Sequence, residues 1–450
     1  FIVLLLWICI FLPDYSLQQT ESPQYYSNDV FVKDLKLFVE GKEFFVKGVA
    51  YNPVPLGILN MTAAGYEGTG YCSPKKTVYG EYKSACFGSD YFDGVIDKGR
   101  FPPGPQTAAG VDRPWWSEIW ERDFKNMKEL GINTIRIYNL NIFTKTLFSM
   151  YPNEYVGIVD KTMAAVHIPF LDAAHQHGFK VIVPIVTDQT FLQTSTDTRI
   201  NKHIEASVTE LGDHPALLMW CLGNEMGIAT NETLLNLVNQ KLKVVRERTK
   251  AIHNRVIPVT HAVIDLPDHY EHWAMTLDVD VFTTNAGYRD TKMDPLWNGE
   301  VYRKPDGEYE TVPGWKMLSQ LTGRPLLIGE MGMHQKGDEI TKREPDWFNQ
   351  QYAQVVGHVK DGCIGTVFFE YLDEVNKPEE QKTMGIYRPE VTVRNGDSSM
   401  EMHNFIPDTL VKKEYIYEAI AQGLTGNFSK YNFNADVFQL LGRKQVTESV

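Results

Sequence analysis

Apolar, β-branched runs recur along the chain at FFVKGVAYN (Phe44 to Asn52), TIRIYNL (Thr134 to Leu140), KVIVPIV (Lys180 to Val186), LLMWCLGNE (Leu217 to Glu225), VIPVTHAV (Val256 to Val263), VDVFTTNAG (Val279 to Gly287), PLLIGEMG (Pro325 to Gly332) and GTVFFEYLDE (Gly365 to Glu374). They are continuous rather than alternating, as strands of a parallel sheet buried on both faces are. Helical patterns with recognisable ends lie between them. WWSEIWERDFKNMKELG places Ile119, Trp120, Phe124, Met127 and Leu130 on one face and stops at Gly131. HIPFLDAAHQHG stops at Gly178 just before a strand, and NETLLNLVNQKLKVVRER opens with Asn231 as its N-cap. Most strand-to-strand intervals are ~40 residues, the size of a βα unit with modest loops, and eight such units predict an α/β fold, the (β/α)8 TIM barrel.

Two intervals exceed that minimum. Pro53 to Pro114 after the first strand is rich in Gly, Pro and Tyr, and Tyr288 to Thr322 after the sixth holds Trp297 and Trp315. Both follow strand C-termini, so both are expected on the face where barrel enzymes keep their active sites. The pattern weakens after about Tyr387, which divides the chain into a leader at 1–17, a barrel at 30–386 and a C-terminal extension at 387–450 with one helical stretch near Lys413 to Gln422.

Composition narrows the partners. The chain has 450 residues, 43% of them hydrophobic, enough for a large core, and a formal charge of −13 with no dense basic cluster. That balance argues against nucleic acid and against an anionic membrane surface, and favours a neutral or cationic partner. The apolar stretch FIVLLLWICIFLP has the length of a signal-peptide core and reads as a cleaved signal or a signal-anchor, so membrane attachment is expected only if it is retained. Secretion or display at the extracellular surface follows. The five cysteines agree with an oxidising compartment: Cys72 and Cys86 bracket the first long loop as the expected disulfide, whereas Cys221 and Cys363 lie in strand patterns as buried thiols. Asn60 (NMT), Asn231 (NET) and Asn427 (NFS) are sequons for glycosylation in such a setting. Nothing in the pattern fixes an oligomeric state.

The fourth and seventh runs each end in a glutamate followed two places on by a glycine, WCLGNEMG with Glu225 and IGEMGMH with Glu330. A carboxylate at the end of an apolar strand is costly unless it is paired or used. Strands four and seven lie nearly across a barrel, so the two carboxylates can face each other over its mouth. Glycoside hydrolysis needs that arrangement: one carboxylic acid to protonate the leaving oxygen, one carboxylate to stabilise or capture the oxocarbenium-like centre, with retention of configuration when the two are ~5–5.5 Å apart. No cofactor or metal is needed. The HQH pair at His175 and His177 falls at a helix end before the third strand, on the stability face, and is not expected to hold a metal.

Asn224–Glu225 at the fourth strand end with Glu330 at the seventh resembles the signature of the large clan of retaining (β/α)8 glycosidases known as clan A. The phrases FVEGKEFFVKGVAYNP, LGINTIRIYN, HPALLMWCLGNE and GWKMLSQLTGRPLLIGEMG are most similar to the catalytic domain of the family containing β-galactosidases, β-glucuronidases and β-mannosidases, over roughly Leu37 to Glu374. The resemblance implies that Glu225 is the general acid/base and Glu330 the nucleophile. It implies that Asn224 bonds the sugar 2-hydroxyl, that Arg136 supports the nucleophile, since a guanidinium favours an ionised carboxylate, and that Tyr288 bonds the nucleophile. His261, Tyr51, Asn52 and Trp297 are further candidate substrate contacts near strand ends or in the active-face loops. The chain departs from that family at the eighth strand, where a sugar-stacking Trp is replaced by FFEYLDE, so Phe369 or Tyr371 would supply the stacking ring. The run VFFEYLDEVNKPEEQKTMGIY is instead similar to fungal β-1,3-glucanosyltransferases. The readings left open are a retaining β-glycoside hydrolase, a secreted β-1,3-glucan transglycosidase, and a catalytically silent carbohydrate-binding or structural barrel in a surface assembly.

Overall fold

Each of the eight apolar runs contains a strand, and the eight strands close into a parallel barrel in chain order. They are β1 (Val46–Ala50), β2 (Thr134–Arg136), β3 (Lys180–Pro184), β4 (Leu217–Asn224), β5 (Val259–Val263), β6 (Phe282–Thr284), β7 (Leu326–Met331) and β8 (Cys363–Phe368), with β8 pairing back onto β1. The computed structural model describes residues 29–52, 75–77, 80–82, 92, 115–140, 142–154, 165–288, 293–303, 308–333, 344–374, 383–390 and 409–425. The leader, Cys72, Cys86, Asn60 and Asn427 lie outside the described residues.

The strands are almost entirely buried because one face fills the barrel and the other meets the helices. One principal helix follows each strand: α1 (Trp115–Leu130), α2 (Ile168–Gln176), α3 (Asp197–Leu211), α4 (Glu232–His253), α5 (Pro267–Thr276), α6 (Trp315–Thr322), α7 (Glu344–Gly357) and α8 (Glu414–Thr425). Their starts are set locally. Thr196 caps α3 through the Arg199 amide, and Asn231 caps α4 through the Leu234 amide, so the carbonyl of that sequon's side chain is a helix cap. The last helix, in the 387–450 segment, packs against α7 and α1 and completes the ring.

A three-stranded antiparallel sheet (Val30–Lys33, Lys36–Val39, Lys42–Glu43) precedes β1 and is tied near the start of β5, where Val30 N donates to Val256 O at 3.2 Å and Val256 N to Asp29 Oδ1 at 3.0 Å. At the other end, the segment between β6 and α6 forms a short helix (Asp294–Asn298) and a hairpin of Gly299–Arg303 with Tyr309–Pro313. Cys221 and Cys363 are free thiols buried in β4 and β8. Among the described residues no helix is long and apolar enough to cross a membrane, and no group of His, Cys, Asp or Glu is arranged to hold a metal ion.

Candidate active site

Glu330 lies within β7, and Glu225 is the first residue after β4. Gly223 and Glu225 both have positive φ, +80° and +49°, which turns the end of β4 while the Glu225 amide still donates to Ala262 O at 2.8 Å. Such a conformation costs a non-glycine residue energy, and here it leaves the Glu225 side chain exposed at the mouth.

Glu330 is the opposite case, a carboxylate with 6% exposure surrounded by donors. Tyr138 Oη donates to its Oε1 at 2.8 Å, Tyr288 Oη to its Oε2 at 2.6 Å, and Arg136 Nη1 approaches Oε1 at 3.4 Å. Burial, opposed at Tyr138 by Arg136 and reinforced at both rings by Glu330, holds the two phenols well above their ordinary range, so they remain protonated donors. Arg136 is itself buried. Burial works against its charge, but Tyr138 and Glu330 beside it outweigh that and raise its pKa, so the guanidinium is a permanent cation at the floor of the site. It lies over the Tyr138 ring, 4.5 Å from the centroid.

Arg136 also organises the other carboxylate. Its Nη1 donates to Gly329 O at 2.7 Å and to Asn285 Oδ1 at 3.2 Å, and its Nη2 donates to Asn224 Oδ1 at 2.6 Å. Asn285, one residue past β6, donates from Nδ2 to Asn224 Oδ1 at 3.2 Å and to Glu225 Oε1 at 2.7 Å. One connected polar network thus joins Glu225 to Glu330 across β4, β6, β2 and β7. The glycines around Glu330 make it possible. A Cβ on Gly329 would lie 2.6 Å from Thr283 Cγ2, 2.8 Å from Asn285 Oδ1 and 3.0 Å from Arg136 Nη1, and one on Gly332 would lie 2.4 Å from Phe369 O. The Gly-Glu-x-Gly pattern is therefore a packing requirement of this site.

The structure brings together Glu225, Glu330, Asn224, Arg136 and Tyr288, and adds Tyr138 and Asn285, which the sequence reading left out. Phe369 joins them, its ring edge-on to Tyr138 and Tyr288 at 6.0 and 5.9 Å between centroids. Asn52 lies at the β1 end and donates to buried Glu374 at 2.5 Å.

Four residues expected to touch substrate are placed elsewhere. Tyr51 and Tyr371 turn toward α1, where their hydroxyls donate to Asp123 Oδ2 and Oδ1 at 2.8 and 3.0 Å. His261 is 1% exposed, and its Nδ1 is bonded to Leu222 O; burial pushes its pKa down to about 4, so it is a neutral packing residue. Trp297 is fully buried, stacked on His358 at 4.4 Å. A side chain without exposure has no face to offer a sugar. On the stability face, His177 Nε2 meets Glu121 Oε2 at 3.0 Å.

No protein-family model matches the chain, and no curated protein matches it in sequence. Solved structures similar to it include ScGas2 in complex with a compound, at TM-score 0.47 and 15% identity, covering 90% of this chain and 69% of that one. A GH2 β-galacturonidase from Eisenbergiella tayi bound to galacturonate is similar at TM-score 0.47 and 13% identity, over 88% of this chain and 54% of that one. A family 39 glycoside hydrolase from the gut symbiont Bacteroides cellulosilyticus WH2 is similar at TM-score 0.43 and 15% identity, over 68% of this chain and 60% of that one.

Proposed function

We propose that the chain is a retaining β-glycoside hydrolase in which Glu330 is the nucleophile and Glu225 the acid/base. The observation that carries this reading is the asymmetry of the two carboxylates. Glu330 is buried and accepts hydrogen bonds from two phenols with Arg136 beside it, an environment suited to a charged, oriented nucleophile. Glu225 is exposed at the strand end, with its Oε1 accepting from the Asn285 side-chain amide, an environment suited to a group that gains and loses a proton.

In the first step the Glu330 carboxylate forms a bond to the anomeric carbon as the glycosidic C–O bond breaks, and the proton of Glu225 passes to the departing oxygen. In the second, a water oxygen attacks the same carbon, Glu225 takes the water's proton, and the ester to Glu330 breaks, so that two inversions give retention. Asn224 uses its carbonyl on Arg136 and Asn285, which leaves its amide hydrogens as the groups that can meet a sugar hydroxyl. Phe369, resting on both phenols, offers a ring at the edge of that position.

The test is intact-mass labelling with 2-deoxy-2-fluoro glycosides of glucose, galactose, mannose and glucuronic acid, on the wild type and on Glu330→Gln. A covalent adduct on the wild type that is lost in the variant supports the reading and narrows the sugar. No adduct with any of the four, together with no change in a β-1,3-glucan oligomer, rejects it in favour of a silent carbohydrate-binding barrel. Transfer of glycosyl units to a second oligomer in place of water would mark a transglycosidase.

A further inference from the structure

Asn285 is 2% exposed and sits between the two carboxylates. Its backbone amide donates to Val263 O at 2.9 Å, which ties the end of β6 to the end of β5. The orientation of its side-chain amide follows from its neighbours. Arg136 has only donors, so the group bonded to its Nη1 is the carbonyl Oδ1, and the NH2 must face Asn224 and Glu225. The same cation fixes Asn224, whose Oδ1 takes Nη2.

We propose that Asn285 is the positioning residue of the acid/base: it holds Glu225 Oε1 as the accepting oxygen, so that the transferable proton resides on Oε2, and it ties the acid to the same Arg136 that braces Glu330. The proposal rests on the reading of Glu225 as acid/base. A protonated carboxyl has one carbonyl oxygen and one hydroxyl, and an N–H aimed at Oε1 selects Oε1 as the carbonyl. As the proton leaves, Glu225 becomes anionic and the same hydrogen bond becomes charge-assisted and stronger. In the first step, where Glu225 gives up its proton to the leaving oxygen, the interaction therefore tightens toward the transition state, which is the condition for accelerating that step. Its benefit is confined to leaving groups that need the proton.

The experiment uses Asn285→Ala and Asn285→Asp in the full chain, with Glu225→Gln as reference. The Asp variant keeps a carbonyl-type acceptor for Arg136 while replacing the donor toward Glu225. kcat/KM is measured on aryl and alkyl β-glycosides whose leaving groups run from strongly to weakly acidic, with pH profiles, and Glu330 is labelled by a 2-deoxy-2-fluoro sugar carrying a dinitrophenyl leaving group. The expected result is a loss of roughly 10- to 100-fold on the poorest leaving group and under about threefold on the best. Labelling of Glu330 is retained. The alkaline limb of the profile should move to higher pH, most in the Asp variant, because a lost donor and an added negative charge both favour protonated Glu225. An equal loss across the series with an unmoved limb, or loss of labelling in both variants, would overturn the proposal, since Asn285 would then serve the whole site. No loss in either variant overturns it too. A wild type that is neither labelled nor active on any glycoside rejects the glycosidase reading itself, and the proposal with it.

Discussion

Among the described residues, a carboxylate held by two tyrosine hydroxyls and an arginine occurs twice. Glu330 has Tyr138, Tyr288 and Arg136. Asp123, on α1, has Tyr51, Tyr371 and Arg122, whose Nε lies 2.8 Å from Oδ1. The donors match, but the positions do not. Asp123 is sealed behind the barrel wall, between the ends of β1 and β8 and the α1 helix, where Asn126 adds a bond to the Tyr371 hydroxyl at 3.2 Å. Glu330 sits at the mouth, its phenols are half-buried, and a second carboxylate is wired to it through Asn285 and Arg136. The same local chemistry therefore makes a structural clamp in one place and a candidate nucleophile in the other. What separates them is access and a partner.

The largest effect that would sharpen this contrast is on turnover. Glu330→Gln should lower kcat by roughly 10⁴-fold or more, as removal of a nucleophile does, with the urea unfolding midpoint nearly unchanged. Asp123→Ala should do the reverse. It strips the acceptor from two buried hydroxyls and the adjoining guanidinium, for a loss of about 3 kcal/mol in stability, while the folded fraction keeps its kcat/KM. Equal damage to rate and stability in both variants would erase the distinction between the two clusters.

The phenols give a finer version. Tyr288→Phe removes a donor that orients the nucleophile and should cost roughly 10- to 100-fold in kcat/KM with little change in stability. Tyr371→Phe removes a donor to Asp123 and should cost about 1 kcal/mol of stability with kcat/KM unchanged. If Tyr371→Phe lowered kcat/KM on an unstable and a stable leaving group alike, the α1 cluster would be part of the site after all.

The sequence carried the barrel because its strands are buried on both faces and so read as unbroken apolar runs, which no alternation obscures. It carried Glu225 and Glu330 for a related reason: a charge closing such a run is conspicuous. Side-chain direction was less legible. The run TIRIYNL is strand only through Arg136, so Tyr138 projects from backbone that has already left the sheet, although its two-residue offset from Arg136 on the same strand face was a usable signal. Asn285 closes the sixth run as Glu225 closes the fourth, and the same reasoning about a polar group at an apolar strand end would have found it. Tyr51 and Tyr371 went the other way. β1 ends at Ala50 and β8 at Phe368, so strand parity no longer says which way the following residues point, and both turn outward to α1. Trp297 and His261 illustrate a different limit, because nothing in a run of letters distinguishes an aromatic ring at a mouth from one packed beneath it.

The smallest effect expected is one of pH, and it bears on Asp123 alone. Burial, opposed by the Arg122 charge and by the hydrogen bonds from Arg122, Tyr51 and Tyr371, holds the Asp123 carboxyl above its ordinary value of 3.8. The folded state thus keeps this proton more tightly than the unfolded chain does. The corresponding stability is fully present below the unfolded value and is lost as pH rises through the folded one. Asp123→Asn keeps a neutral group at every pH, so the wild type should lose stability relative to the variant as pH climbs from just below 3.8, and the difference should level off once Asp123 is ionised. Urea unfolding of both proteins across that range isolates the group, because every other carboxylate cancels in the difference. A difference running the opposite way would mean that two phenols and a guanidinium outweigh burial even in a sealed pocket. The tightness of the clamp would then not separate the two clusters, and access and the second carboxylate alone would distinguish them.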